Sequence, residues 1–217
     1  MIDRVDTFVY LDSTQVNKRS WQQRNKIKTP QGELWLTIPI QTKGKREQLI
    51  HETLILKDPK YPEKILQTIT LNYSRAPFFK EYRELVFDEI QKHSERLCDL
   101  NIGLIEALTQ AIGINRPKLI RSSTLSHDGT KADLLVAICQ AVGSQHYLSA
   151  PGSKQYIEES GAFQKANIEV TYHEYQHPSY AQQFGAFAPY MSVIDLLFNE
   201  GPRSLEIIRS GVEKRVA

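Results

Sequence analysis

Cysteine is scarce: the 217 residues contain two, Cys98 and Cys139, and neither belongs to a CxxC pair. Both fall in helix-like segments, which fits small reduced core residues and excludes a disulfide scaffold. The same scarcity removes the thiolates of a closed zinc site, so no metal is expected. No apolar run approaches the roughly 18 residues of a membrane span. The opening residues Met1-Ile2-Asp3-Arg4-Val5-Asp6 are polar and carry two acids, unlike the apolar core of a secretory signal. A cytoplasmic location follows as the expectation. Neither GxGxxG nor GxxxxGK[ST] occurs, so no recognised nucleotide fingerprint is present. There is no internal repeat and no low-complexity tract. What remains is ordinary for a folded chain: 41% hydrophobic, 9% aromatic and 24% charged residues. That balance excludes disorder, collagen and coiled coil, and the length fits one domain spanning residues 1–217.

The net charge of +2 conceals a local imbalance. Val5 to Leu11 (VDTFVYL) is β-branched and aromatic and reads as a strand. Residues 13–32 then carry Lys18, Arg19, Arg24, Lys26 and Lys28 and no acid, and end on the turn signal Pro30-Gln31-Gly32. Glu33 to Ile40 reads as a strand, a second basic turn holds Lys43, Gly44, Lys45 and Arg46, and Thr53 to Leu56 reads as a short strand. From Tyr61 the apolar period changes to that of helices. One runs on from Pro62 through Leu71, a second covers Phe79 to Gln91, and a third covers Leu97 to Ile112 with Gly113 as its C-cap. This helical region, about 61–113, reads as an insertion. Beyond it strands and helices alternate. Lys118 to Ser122, His146 to Ser149 and Ile168 to Tyr172 are strands, and a helix between the first two ends at Gly143. Ser153 is placed to cap a helix through Glu159. Ser192 and Asp195 have capping-box spacing ahead of Leu196-Leu197-Phe198, and Gly201-Pro202 separates that helix from a last one. The pattern predicts an α/β fold, a mostly parallel sheet flanked by helices.

Ligands of such folds bind at the carboxyl ends of the strands. Three loops qualify: the basic run after Leu11, Arg121-Ser122-Ser123-Thr124, and Ser149 through Ser153, which includes Gly152. Guanidinium and ammonium groups, hydroxyls and helix N-termini together suit an anion, most simply a phosphate. A basic run by itself is ordinarily a solvated face. Here Trp21 and the amides of Gln22 and Asn25 are interleaved with the cations, which suits a polar ligand with rings, such as a nucleotide or sugar. Arg24 and Lys28 are the leading ligand residues, with Lys18 and Arg19 behind them. His173 and His177 lie four apart, but Pro178 denies them a helix, so HExxH metal logic fails. His173 is the group best suited to proton transfer. Asp195 reads as a capping acid without a role in catalysis.

The block Val16-Asn17-Lys18-Arg19-Ser20-Trp21-Gln22-Gln23-Arg24-Asn25-Lys26-Ile27-Lys28-Thr29-Pro30-Gln31-Gly32, followed by Trp35-Leu36-Thr37-Ile38-Pro39, resembles the WbqC-like family. So do Arg121-Ser122-Ser123, Gly129-Thr130-Lys131, Tyr147 through Gly152, and Met191 through Asn199. The match runs nearly the whole length. The resemblance implies a bacterial cytoplasmic protein of polysaccharide or O-antigen biosynthesis, and a transferase acting on modified sugars. It also implies an extra initial strand and loop with a His-Gln-Pro-x-Tyr-like motif, and this chain starts after that point. The expected activity is modification of a nucleotide- or lipid-linked amino sugar, with an acyl or aminoacyl group as a fitting donor. Arg24, Lys28, Arg121 and Lys131 would hold phosphates, Trp21, Gln22 and Asn25 the sugar or base, and Gly152 and Ser153 would complete the site. No residue identifies a cofactor. The alternatives are a non-catalytic binding protein of the same pathway and an RNA-binding protein taking charged tRNA.

Overall fold

The computed structural model describes residues 1–45, 47–92, 94–115 and 117–212. Arg46, the last residue of the second basic turn, lies outside them. The chain is α/β and divides into two compact units.

The first unit comprises, of the described residues, 1–11, 117–176 and 212. Strand β1 (Thr7–Tyr10) pairs in parallel with β4 (Lys118–Arg121), and β5 (His146–Ser149) pairs in parallel with β6 (Glu169–Tyr172). Helix α4 (Lys131–Ala141) connects β4 to β5, and α5 (Lys154–Ser160) with α6 (Ala162–Lys165) connects β5 to β6. The second connection is the parallel crossover that the alternation predicts, while α4 joins two separate two-stranded sheets. Ala132, Cys139, Ile157, Phe163 and Ile168 form the core beneath them.

The second unit comprises residues 12–115 and 177–211, Arg46 and His93 aside. Its one ladder is an antiparallel hairpin of β2 (Arg24–Thr29) and β3 (Gly32–Thr37), turning at Pro30-Gln31. The strand expected at Thr53 to Leu56 makes single bridges instead, Leu54 with Arg96 and Ile55 with Ile40. Helices α1 (Glu63–Tyr73), α2 (Phe79–Gln91) and α3 (Leu97–Ile112) follow. The last two match their sequence-derived bounds, because their apolar residues recur at three and four and bury one face of each. Gly113 ends α3 at φ 93°, the left-handed cap that glycine takes without strain. Helix α7 (Val193–Glu200) is central, with every residue from Ile194 to Glu200 buried, and α8 (Ser204–Ser210) ends the unit. Ile40, Ile55, Leu97 and Leu100 form a further cluster of this unit. Both cysteines are buried free thiols.

Candidate functional site: an aromatic and cationic hairpin face

The basic run forms a strand as well as a loop. Residues 13–23 close on themselves: Ser20 Oγ donates to the Asn17 carbonyl at 2.6 Å, and the Asn17 N–H donates to Gln22 Oε1 at 2.8 Å. Gln23 accepts from the Arg19 N–H at 3.1 Å and donates to the Ile38 carbonyl at 2.9 Å. Gln22, one of the amides that suggested a polar ligand, thus helps shape the loop that presents Trp21. Arg19 adopts φ 57°, a turn conformation.

From Arg24 the chain alternates with period two. In register, Lys26 stands opposite Trp35. The Arg24 guanidinium lies 4.1 Å from the centroid of the Trp35 ring. Lys26 Nζ is 5.4 Å from Trp35 and 5.8 Å from Trp21, and it also meets Glu33 at 2.5 Å. The two indoles sit 4.9 Å apart at 53°, and Trp21 is 59% exposed. A large exposed ring is informative because burying it would release so much water-contacting area. The face combines open π-surface with two cations held over it, a combination that stacks on rings and attracts anions. Trp35 and Lys26 are the partners the sequence reading did not assign. Their signal was the strict alternation of Arg24, Lys26 and Lys28 ahead of a Pro-Gln-Gly turn.

The other assigned residues of this unit lie in different settings. Asn25 is exposed, its Oδ1 accepting from the Lys26 N–H. Lys18 lines an open depression of about 1080 Å³ with Lys45, Gln48 and Arg96. Lys28 is 4% exposed, and its ammonium donates to the carbonyls of Gly185 (3.3 Å) and Ala186 (2.6 Å). The phosphate role assigned to it gives way to a structural one: that ammonium holds the segment 177–191.

That segment is irregular but anchored by side chains. Gln182 both donates to and accepts from Ala188, and Glu200 accepts from the Ala181 N–H at 2.9 Å. Asp195 accepts from Tyr73 (2.6 Å), Tyr180 (2.8 Å) and Gln182 (2.8 Å). The capping role expected of Asp195 is therefore corrected, for Ser192 makes no side-chain cap bond and the carboxylate points into this network. Burial, then the charge of Asp195, pushes the Tyr73 and Tyr180 hydroxyls far above the ordinary tyrosine range. Phe184 and Tyr190, both exposed, are held at φ 64° and 61°, and the Ser192 N–H donates to the Lys26 carbonyl at 2.8 Å. Aromatic residues in left-handed conformations are strained, and strain of this kind clusters at functional sites.

In the first unit, Arg121 ends β4, and Ser122, fully buried, starts the turn Ser122–Thr124. Lys131 is exposed at the start of α4, and Gly152 is exposed in the turn Pro151–Ser153. Ser153 precedes α5 but makes no cap bond. His173, just past β6, is buried, and Arg4 Nη1 donates to its Nδ1 at 3.2 Å. Burial, and then the N-terminal amine and Arg4, lowers its pKa. The imidazole is therefore neutral near pH 7, the form an acceptor needs. Among the described residues no three His, Cys, Asp or Glu side chains gather as a metal site.

The chain is α/β and carries an exposed aromatic and cationic hairpin face. Comparison with known families goes further: the model of the WbqC-like protein family matches residues 1–207, and the chain belongs to that family. It is 34% identical over 211 residues to the uncharacterized protein Rv1507c of Mycobacterium tuberculosis, which covers 96% of this chain and 90% of that one. No solved structure matches. Among the described residues no helix is long and apolar enough to cross a membrane.

Proposed function

We propose that this protein is a cytoplasmic transferase that modifies a nucleotide- or lipid-linked amino sugar in bacterial polysaccharide or O-antigen biosynthesis. The observation that supports this reading is the Trp21–Trp35 pair with the Arg24 guanidinium over it. Indole faces pack on the apolar side of a sugar ring or on a base, and Arg24 with Lys26 meets the phosphates.

Calorimetry against a panel of nucleotide sugars at low salt tests it. We expect binding by at least one member. Arg24→Ala should weaken it more than tenfold, because charge-assisted bonds contribute about 1.5–3 kcal/mol each. Trp21→Ala should weaken it similarly while the melting temperature stays put. A folded protein that takes none of the panel would end this reading. Tight, salt-sensitive binding of tRNA instead would move the hairpin face to single-stranded RNA, whose bases also stack on aromatic rings.

A further inference from the structure

The three alternating cations of β2 differ in what holds them. The Lys28 ammonium is taken by the carbonyls of Gly185 and Ala186. Lys26 meets the Glu33 carboxylate at 2.5 Å, along the diagonal of the ladder, since Glu33 stands directly opposite Lys28. The Lys26 side chain is 19% exposed and lies near both indoles, so this pair is less screened than an ordinary surface bridge. Arg24 is the exception. Its guanidinium lies over Trp35, yet among the described residues no hydrogen-bond or ion-pair partner meets it, and its Nε is shielded from water. Both cations thus lie over the same ring, at 4.1 and 5.4 Å from its centroid, one neutralised and one not.

That asymmetry decides how much charge the face takes. An unpaired guanidinium beside a wall of indole is screened by less water than a free one, and so attracts an anion more strongly. Its terminal donors suit one phosphate or carboxylate. A ligand with one anionic group finds Arg24 without a competitor. A second anionic group has to displace Glu33 from Lys26 or lie beside its carboxylate, and like charges at that range repel. The ring of the ligand is served separately, by the open indole of Trp21.

We propose that Glu33 sets the charge this face accepts: a ring carrying one anionic group, as in a sugar or nucleoside joined through a single phosphodiester, in preference to one joined through a diphosphate. The inference rests on the transferase reading for its site, and it narrows the linkage of the substrate. Glu33 acts through Lys26, as a positioning residue that keeps the second cation occupied.

The two tryptophans of the chain are Trp21 and Trp35, so intrinsic tryptophan fluorescence of the full chain reads this face. The probes are the methyl esters of adenosine 5′-monophosphate and adenosine 5′-diphosphate, which carry the same rings with one and two charges. A merely basic face takes the doubly charged ester more tightly. Here we expect the singly charged ester to bind about fivefold more tightly, or better, at physiological salt. In Glu33→Gln, which frees the Lys26 ammonium, the doubly charged ester should gain about fivefold or more, while the singly charged one changes by less than about twofold. A merely structural role for Glu33 would move both esters alike. The comparison on the parent chain needs no variant, so the test survives if the substitution disturbs the hairpin. Tighter binding of the doubly charged ester by the parent overturns the proposal, and so does a folded Glu33→Gln protein that keeps the parent's preference. If neither ester changes the fluorescence while a nucleotide sugar binds, this inference falls and the transferase reading stands. If the singly charged ester binds with the expected preference while every nucleotide sugar fails, Glu33 keeps its role and the transferase reading falls.

Discussion

Gly201 illustrates how much one residue can hold. It sits at φ 52° and ψ −121°, a region that side chains avoid, at the end of α7. A Cβ there would come within 2.5 Å of the Phe78 ring. Phe78 cannot easily yield, because its N–H donates to the Phe198 carbonyl at 3.0 Å and Phe198 is fully buried. Gly201→Ala should therefore cost about 3 kcal/mol or more, strain and overpacking together. Urea unfolding measures this, and a loss under about 1 kcal/mol would show that the ring moves aside. Asp195 carries the opposite lesson. Its distance from Ser192 imitates a capping box, yet its partners Tyr73 and Tyr180 stand 122 and 15 residues away in sequence. Local spacing cannot reveal a partner brought by the fold.

At the scale of elements, helices with a three-and-four apolar period were legible to the residue, as α2 and α3 show. So were β5 and the core of β1, each built on adjacent apolar or aromatic residues. Strand β2 was not: RNKIKT reads as a charged loop, because its one buried apolar side chain, Ile27, gives no apolar period and only the alternation of its cations marks a strand. The same blindness split the site. Trp21 and Arg24 were visible as residue types, but their contact with Trp35 needs the hairpin. Lys28 was misjudged because its charge implies solvent, whereas backbone carbonyls receive it. That makes a prediction about the segment it holds. Lys28→Met keeps the buried stem and removes the ammonium that reaches Gly185 and Ala186. Exchange at amides 183–190 should quicken at least tenfold, and limited proteolysis should begin at the exposed Phe184, while α2 and α3 keep their protection. Unchanged proteolysis would mean that Gln182 and Glu200 suffice to anchor the segment.

Over the whole molecule, buried hydroxyls and thiols set a limit in alkali. Burial raises Tyr147 to about 12 in the first unit and Tyr61 to about 12 in the second. Tyr73 and Tyr180 rise further, and Cys139 goes from 9.0 to about 11. In each case the folded state binds its proton more tightly than the unfolded chain does. Stability is then complete below the unfolded pKa and drains away as pH climbs toward the folded one. The window opens near 9.0 for Cys139 and near 10.0 for the tyrosines. Each well-buried group removes up to about 1.4 kcal/mol per pH unit in that window, and Tyr61, more open to water, contributes less. The urea midpoint should stay level from pH 7.5 to about 9 and then fall ever more steeply toward pH 11. Tyr73→Phe should be less stable at pH 8, since Asp195 loses a donor, yet decline less steeply above pH 10 because one titrating group is gone. A midpoint that holds level to pH 11, or a Tyr73→Phe curve parallel to the parent, would show that these hydroxyls reach water in the folded protein.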